Sequence, residues 1–572
     1  HYSQSPADSL KFRAARFLIE NMPGHYTVAG KKVEWLRAKI DNDSTASYFL
    51  KKVLDIAICY LDDMSYGVRK LEDVRHIKGD FLIHHIDRSF EKRNKYPWAQ
   101  NLPFDLFLEY VLPYRFENER VDCWIDSLQI DPDKYAEALF VDNSKYTLWN
   151  VENYLPVDGD QFSIYHPLIK EVLRHSFQYE CRNAAAMTAL QSRVTALPAS
   201  IDFFPHYANR NGYHYWHMTR SPEFKEPYVA NSLERRAAKV YRKTFSIQPH
   251  AVLPKNEYVP PLFREPFQKD VTEEYLHTAD IHIKPVTLPR RTPRYAYLYT
   301  FCDLTWTPVV IGEFSAEATR FSNIGKNILY LPGYYGSYKP RAMHYPFILQ
   351  LDGAVNYLVP DTTRRLKARI ERKYPLTQDV FQYEKIVRPA AVYASNALPM
   401  QLTHPLLSGM TMRKSYLEGQ LDTTRPYRYW LVYLPQETAC AEIAFFDKEG
   451  KIIRGQINEQ FKNLYDGDPL SNQSSVFNEK IYATVDFGRP VAVSRVVLLP
   501  RSDGNGIYPG DDYELFYHDL DGWRSLGRRI ATDYFLDYDN LPAGALYWLH
   551  NHTRGVEERP FTITLSGDIR FW

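Results

Sequence analysis

Near residue 237 the spacing of apolar side chains changes from one period to another, and that change constrains the fold more than any other feature of the chain. Before it, apolar residues recur at close to the helical period: Leu10, Ala14, Phe17 and Leu18 within 9–21, and Phe49, Leu50, Val53, Leu54, Ala57, Ile58 and Leu61 within 47–61. Each of these segments has a serine available as an N-cap and a breaker or turn after it. Similar patterns predict helices over 80–90, 103–111 and 166–178. After residue 237 the apolar runs are short, rich in Tyr, Val, Ile and Thr, and separated by Pro, Gly and Asp. They predict strands at 240–247, 279–284, 294–301, 306–311, 327–331 and 347–351, then at 427–434, 442–447, 483–487, 494–499, 512–518 and 545–551. Helix returns only at 378–384 and 405–410.

A chain of 572 residues is too long for one hydrophobic core. The expected fold class is multidomain α+β: a largely helical domain with a small sheet over 1–236, an antiparallel β-sandwich over 237–424 and a second β-sandwich over 425–572. The 70 basic and 69 acidic residues leave a net charge of +1, so no global field draws the chain to nucleic acid or an acidic membrane. Aromatic residues make up 15% of the chain, a content that suits sandwiches and surfaces that stack on the C–H faces of sugars. The five cysteines are far apart with no C-x-x-C pair, which argues against a zinc knuckle or a disulfide framework. No run reaches the roughly 18 apolar residues of a membrane span. The chain opens on His1 rather than Met, so the expectation is a secreted, periplasmic or cell-surface protein whose export signal or lipoprotein anchor has been removed.

The segment with the clearest chemistry begins at Cys181, which opens an alanine-rich helical stretch. A helix N-terminus stabilises a thiolate through its unpaired N–H groups and dipole. His214, in the extended run Gly212-Tyr213-His214-Tyr215-Trp216, has the strand context of a base that could share the thiol proton. Spacing alone leaves open that Cys181 is a small buried hydrophobe. Glu109, Arg115 and Glu119 form a second charged cluster, read either as an ion-paired helix end or as a pocket wall facing the thiol.

The run from Cys181 through Leu197-Pro198, Pro205-His206-Tyr207-Ala208-Asn209-Arg210 and His214-Tyr215-Trp216, with the preceding 103–115, resembles the core of the transglutaminase-like superfamily, particularly its large multidomain members in Bacteroidetes. The resemblance implies a papain-like domain with Cys181 as nucleophile and His214 as base. It also implies an acidic group beyond the histidine, but Val229 stands there, and Glu226 and Asn231 are the polar substitutes nearby.

Near the C-terminus, Asn463-Leu464-Tyr465-Asp466-Gly467-Asp468-Pro469-Leu470-Ser471, Ala483-Thr484-Val485-Asp486-Phe487-Gly488 and Asp512-Tyr513-Glu514-Leu515-Phe516-Tyr517 resemble the discoidin, or coagulation-factor C-type, module, a galactose-binding-like jelly roll. The oxygens of Asp466, Asp468 and Ser471 around Gly467 suit a structural Ca²⁺, which takes six to eight oxygen ligands. Glu558 is the late acidic residue that would complete the set. Tyr508, Trp523 and Trp548 are candidates for stacking on sugars.

Three functions follow as expectations. The first is a cysteine-dependent hydrolase or acyltransferase acting on an amide bond of a peptide or glycopeptide, with Glu109, Arg115, Glu119, Asp202 and Trp216 around the substrate. The second is a non-catalytic glycan-binding or scaffold protein with a degenerate core. The third is a glycoside hydrolase working through carboxylates such as Glu109 and Asp202.

Overall fold

The computed structural model of the chain describes residues 1–4, 6–59, 67–128, 180–219, 236–252, 254, 256–336, 338–421, 425–475, 479–555 and 557–572. The protein is β-rich, with several antiparallel sheets and a helical N-terminal part. Among the described residues no helix is long and apolar enough to cross a membrane.

The helical part follows its local patterns closely. The helix at Ser9–Asn21 buries Ala14 and Leu18, and packs on the helix Gly79–Lys95 around Ile86, Phe90, Phe107 and Tyr114. The helix Tyr48–Ile58 starts where Ser47 Oγ accepts a 3.2 Å bond from the Leu50 N–H, satisfying one donor that the first turn leaves unpaired. The helix expected over 166–178 lies outside the described residues. The cysteine segment forms the helix Glu180–Val194, whose small Ala185, Ala186 and Ala189 side chains let it pack closely on Ile201, Phe203, Tyr215 and Tyr241. Those residues lie on one face of a four-stranded antiparallel sheet in the spatial order His214–Thr219, Ala199–Phe204, Tyr241–Lys243, Gln268–Asp270. The change of periodicity at 237 therefore falls inside this unit, because the chain beyond it adds the last two strands.

A second unit pairs Tyr295–Cys302 with Thr305–Glu313 and Ile328–Gly336, and packs them against Thr278–Ile283 and Thr319–Gly325 over Ile281, Leu298, Phe321, Tyr330 and Phe347. The remaining chain is nested. Strand Asp361–Ile370 pairs with Leu536–Ala543, and the two share a core with Leu515, Tyr547, Leu549 and Phe561. Between them lies a complete unit of two facing sheets, whose single core includes Val392, Trp430, Val432, Ile443, Phe445, Val496 and Leu498. Strand Ala391–Ser395 pairs with Tyr427–Leu434 across the sequence boundary drawn at 424/425, and residues 425–572 are divided among separate cores. The helix expected over 378–384 is Gln378–Val387. The helix expected over 405–410 is instead the short strand Leu407–Ser408, flanked by Pro405 and by Gly409 with φ +71°. That left-handed turn suits glycine and ends a strand paired with Ala391 and Val392.

Glu384, on the helix Gln378–Val387, is fully buried, and neither carboxylate oxygen has a hydrogen-bond partner among the described residues. Burial, opposed by Arg372, pushes its carboxyl up to about 7. The folded state thus holds this proton more tightly than the unfolded chain does. Its contribution to stability is complete below about pH 4.5 and is lost as pH rises through about 7. Glu384→Leu should therefore raise stability at pH 8 by about 3 kcal/mol while changing it little at pH 4. Urea denaturation at the two pH values measures this, and an equal change at both would contradict it.

The units meet at Arg559, a fully buried side chain. Its guanidinium donates to the carbonyls of Ala208 at 2.6 Å, Trp572 at 2.8 Å and Phe301, so one side chain ties the cysteine-bearing unit, the second unit and the last strands together.

Candidate functional site

The Cys181 helix lies over the edge strand His214–Thr219, where strand alternation turns His214 and Tyr215 to opposite faces. Tyr213 and Tyr215 face the helix, where Arg182 Nη2 donates to the Tyr215 hydroxyl at 2.7 Å and its guanidinium sits 4.3 Å from the centre of that ring. Cys181 packs in the same cluster. The His214 ring lies against Trp216, 5.7 Å away at 23°, and near Phe204 at 5.9 Å, aromatic residues whose cluster covers the opposite sheet face. The His214 side chain leaves the strand on the face opposite Tyr215, while the Cys181 thiol lies within hydrogen-bond reach of the Tyr215 backbone N–H. Burial pushes the Cys181 thiol above its ordinary value, only partly offset by the Tyr215 backbone and Arg182, so the thiol stays protonated near neutral pH. Glu226, Val229 and Asn231 lie outside the described residues.

The charged candidates near the helix are engaged in holding the fold. Glu109 Oε1 accepts from the N–H groups of Phe245 at 2.6 Å and Ser246 at 3.3 Å. Glu119 accepts from Phe116 N–H at 2.9 Å and Glu117 N–H at 2.8 Å. Arg115 pairs with Asp73 at 2.6 Å and donates to the Tyr26 carbonyl at 2.8 Å. Asp202, fully buried, takes a bidentate fork from Arg242 at 2.8 and 2.7 Å. Arg242 also donates to Glu274 at 2.9 and 2.8 Å, and Tyr275 donates its hydroxyl to Asp202 while accepting from Trp216 Nε1 at 3.2 Å. These groups brace the sheet. The sequence predicts that Glu109, Arg115 and Glu119 form a pocket wall and that Glu109 and Asp202 form a carboxylate pair; the observed contacts tie each of these groups to protein partners.

The loop after Asn463 does gather oxygen atoms. Ser471 Oγ lies 2.9 Å from Asp466 Oδ2, 3.1 Å from the Asn463 carbonyl and 3.2 Å from the Asp468 carbonyl. Glu442, missed in the sequence, reaches the same loop and accepts from the Gly467 N–H. Burial, opposed by that N–H and reinforced by the Asp466 carboxylate, pushes the Glu442 carboxyl up to about 8. A lone acid in the wholly buried strand Ala439–Phe446 was the available signal. Glu558, expected in this set, instead accepts from Trp548 Nε1 at 2.8 Å, the Asn551 N–H at 2.8 Å and His550 Nδ1 at 2.9 Å. Another possible ligand group is His206, Cys302 and Asp303, whose donor atoms lie within 4.8 Å of one another. There burial and Asp303 push the Cys302 thiol up to about 12, which opposes the thiolate a soft metal requires.

A cleft of about 1230 Å³ opens between the second unit and the hairpin at 518–523. One wall carries Tyr299, Trp306, Tyr334, Tyr335 and Arg341, another is the loop bearing Arg290, Arg291 and Arg294, and a third is His518, Asp521 and Trp523. Trp306 and Trp523 lie nearly parallel, 6.2 Å apart at 12°, with the His518 ring edge-on to both. Burial holds His518 down at about 4, so it is neutral at physiological pH. At the rim Tyr335 meets Tyr258 at 4.8 Å, and Tyr258 meets the widely exposed Tyr338 at 5.5 Å. Of the sugar-stacking candidates, Trp523 lines the cleft; Tyr508 is buried with its hydroxyl bonded to the Gly506 N–H, and Trp548 donates to Glu558. The arginines were missed, although the run Pro289-Arg290-Arg291-Thr292-Pro293-Arg294 was a visible signal. Compared with family models, curated proteins and solved structures, the chain matches none.

Proposed function

We propose that this chain is a non-catalytic carbohydrate-binding protein, in which a degenerate transglutaminase-like core and a galactose-binding-like jelly roll support an aromatic cleft between units. The observation that carries the reading is the cleft itself. It is larger than a typical pocket for one small molecule and lined by Trp306, Trp523, Tyr334 and Tyr335. Aromatic faces gain from stacking on the C–H side of a sugar ring, and their N–H and O–H tips bond its hydroxyls. Burial, which raises the Cys181 thiol so that it stays protonated near neutral pH, supports binding over thiol chemistry.

In this reading Asp466, Ser471 and Glu442, with the Asn463 and Asp468 carbonyls, would hold a structural Ca²⁺. The ion would offset the two converging carboxylates and fix the loop. The same reading keeps the expected setting at a cell surface or in secretion.

Oligosaccharide binding measured by titration calorimetry tests the proposal. Trp523→Ala should weaken affinity by about tenfold or more, the loss of one stacking anchor. Cys181→Ala should leave affinity unchanged. Rapid iodoacetamide labelling of Cys181 near neutral pH, slowed by His214→Ala, would instead support a thiol hydrolase acting on a peptide or glycopeptide amide.

A further inference from the structure

Resting on the carbohydrate reading, we propose that the cleft selects an acidic oligosaccharide, with Arg290, Arg291, Arg294 and Arg341 holding its carboxylate or sulfate groups while Trp523 and Tyr335 stack on its rings. The acidic residues lining the cleft are Glu257 and Asp521. Glu257 directs both oxygens at its own framework, accepting from the Arg294 N–H at 2.7 Å and the Tyr295 N–H at 3.0 Å. Asp521 lies 3.7 Å from Arg524, which is not part of the lining. Among the described residues, no carboxylate forms an ion pair with Arg290, Arg291, Arg294 or Arg341. Four permanent positive charges therefore face one cleft in a chain whose net charge is only +1.

The loop that carries three of them is stiffened for display. Pro285, Pro289 and Pro293 recur every four residues, and each fixes its φ and removes a backbone donor. This restricts the chain between them and leaves Arg290, Arg291 and Arg294 exposed. A guanidinium presents a planar fork that matches a carboxylate or sulfate through paired N–H groups, whereas a neutral sugar offers no such partner. Low-dielectric walls concentrate the field, so the preference should appear as a salt-dependent gain. The aromatic walls set the second requirement, a ring with an apolar face between charged substituents. An anion without sugar rings would satisfy only half of the cleft.

The test uses the full chain and three probes of matched length: a sulfated heparin-type oligosaccharide, an oligogalacturonate and a neutral glucan oligosaccharide. Binding to at least one acidic probe should exceed binding to the neutral one by about tenfold or more, and the excess should shrink as salt rises from about 50 mM to about 300 mM. The sulfated and uronate arms identify which anion is preferred. Arg290→Gln with Arg291→Gln should remove most of the excess, and Arg341→Gln, on the opposite wall, should do so in part. Equal affinity for acidic and neutral probes would overturn the inference and leave the carbohydrate reading standing. Failure of every sugar probe would overturn both. Tighter binding of duplex DNA than of either acidic oligosaccharide would overturn the assignment to sugars.

Discussion

Replacing Asp202 by alanine is expected to destabilise the protein by about 3–5 kcal/mol, because it strands a buried guanidinium. Asp202 and Arg242 are both almost wholly inaccessible, and their fork occupies the sheet face opposite the Cys181 helix. Glu274 would still neutralise part of the charge, but Tyr275 would lose the acceptor of its hydroxyl. The cost comes mainly from leaving polar groups unpaired in a dry environment, not from the net worth of the pair. The double substitution Asp202→Leu with Arg242→Met, which removes both charges, should therefore recover most of the loss. Chemical denaturation of the two variants separates these terms. If Asp202→Ala unfolds no more easily than the parent, Asp202 is not the brace described here.

The second large effect concerns Glu442 and the choice between a proton and a cation. With chelator present, its carboxyl titrates near 8 in the folded protein against about 4.5 when unfolded. The native state then binds the extra proton between those values. Stability attributable to this group is complete below about pH 4.5 and falls as pH rises through about 8, by about 5 kcal/mol in total. Millimolar Ca²⁺ should reverse the trend, since the ion favours both carboxylates in their charged form. Melting temperatures across this range, with and without Ca²⁺, give the comparison, and Glu442→Gln should abolish the chelator-dependent slope. A parent protein whose pH profile ignores Ca²⁺ would remove the metal assignment.

Local structure was legible where its cause is local. The apolar spacing of Leu10, Ala14, Phe17 and Leu18 led to the helix Ser9–Asn21, and the β-rich run at 427–434 to the strand Tyr427–Leu434, because each is governed by its own side chains. The nesting was not legible. Nothing in 361–370 indicates that Leu366 pairs with Leu541, since that choice belongs to a core whose parts are remote in sequence. The site shows the same division. Cys181 at a helix start was readable, but the face on which His214 sits depends on strand register, and a one-residue difference moves a side chain to the other side. The cleft draws on residues as far apart as Glu257, Arg290, Trp306, Tyr335, Arg341 and Trp523, so no window of sequence contains it. A net charge averaged over the whole chain also hid its four arginines.

The nested arrangement has a consequence for biosynthesis. Strand Asp361–Ile370 emerges from the ribosome well before Leu536–Ala543, and at ordinary elongation rates it waits roughly ten to thirty seconds for its partner. Throughout that interval the segment lacks its partner, and an unpaired strand edge is the kind that recruits other chains. Its exposed positions include Arg364, Arg365, Lys367 and Arg369, a row of like charge that repels a second copy of the same nascent segment. When the late strand arrives, Asp537 meets Arg369 at 2.7 Å and Asp539 lies 3.5 Å from Lys367. The charges that keep the strand soluble while it waits then help identify its partner.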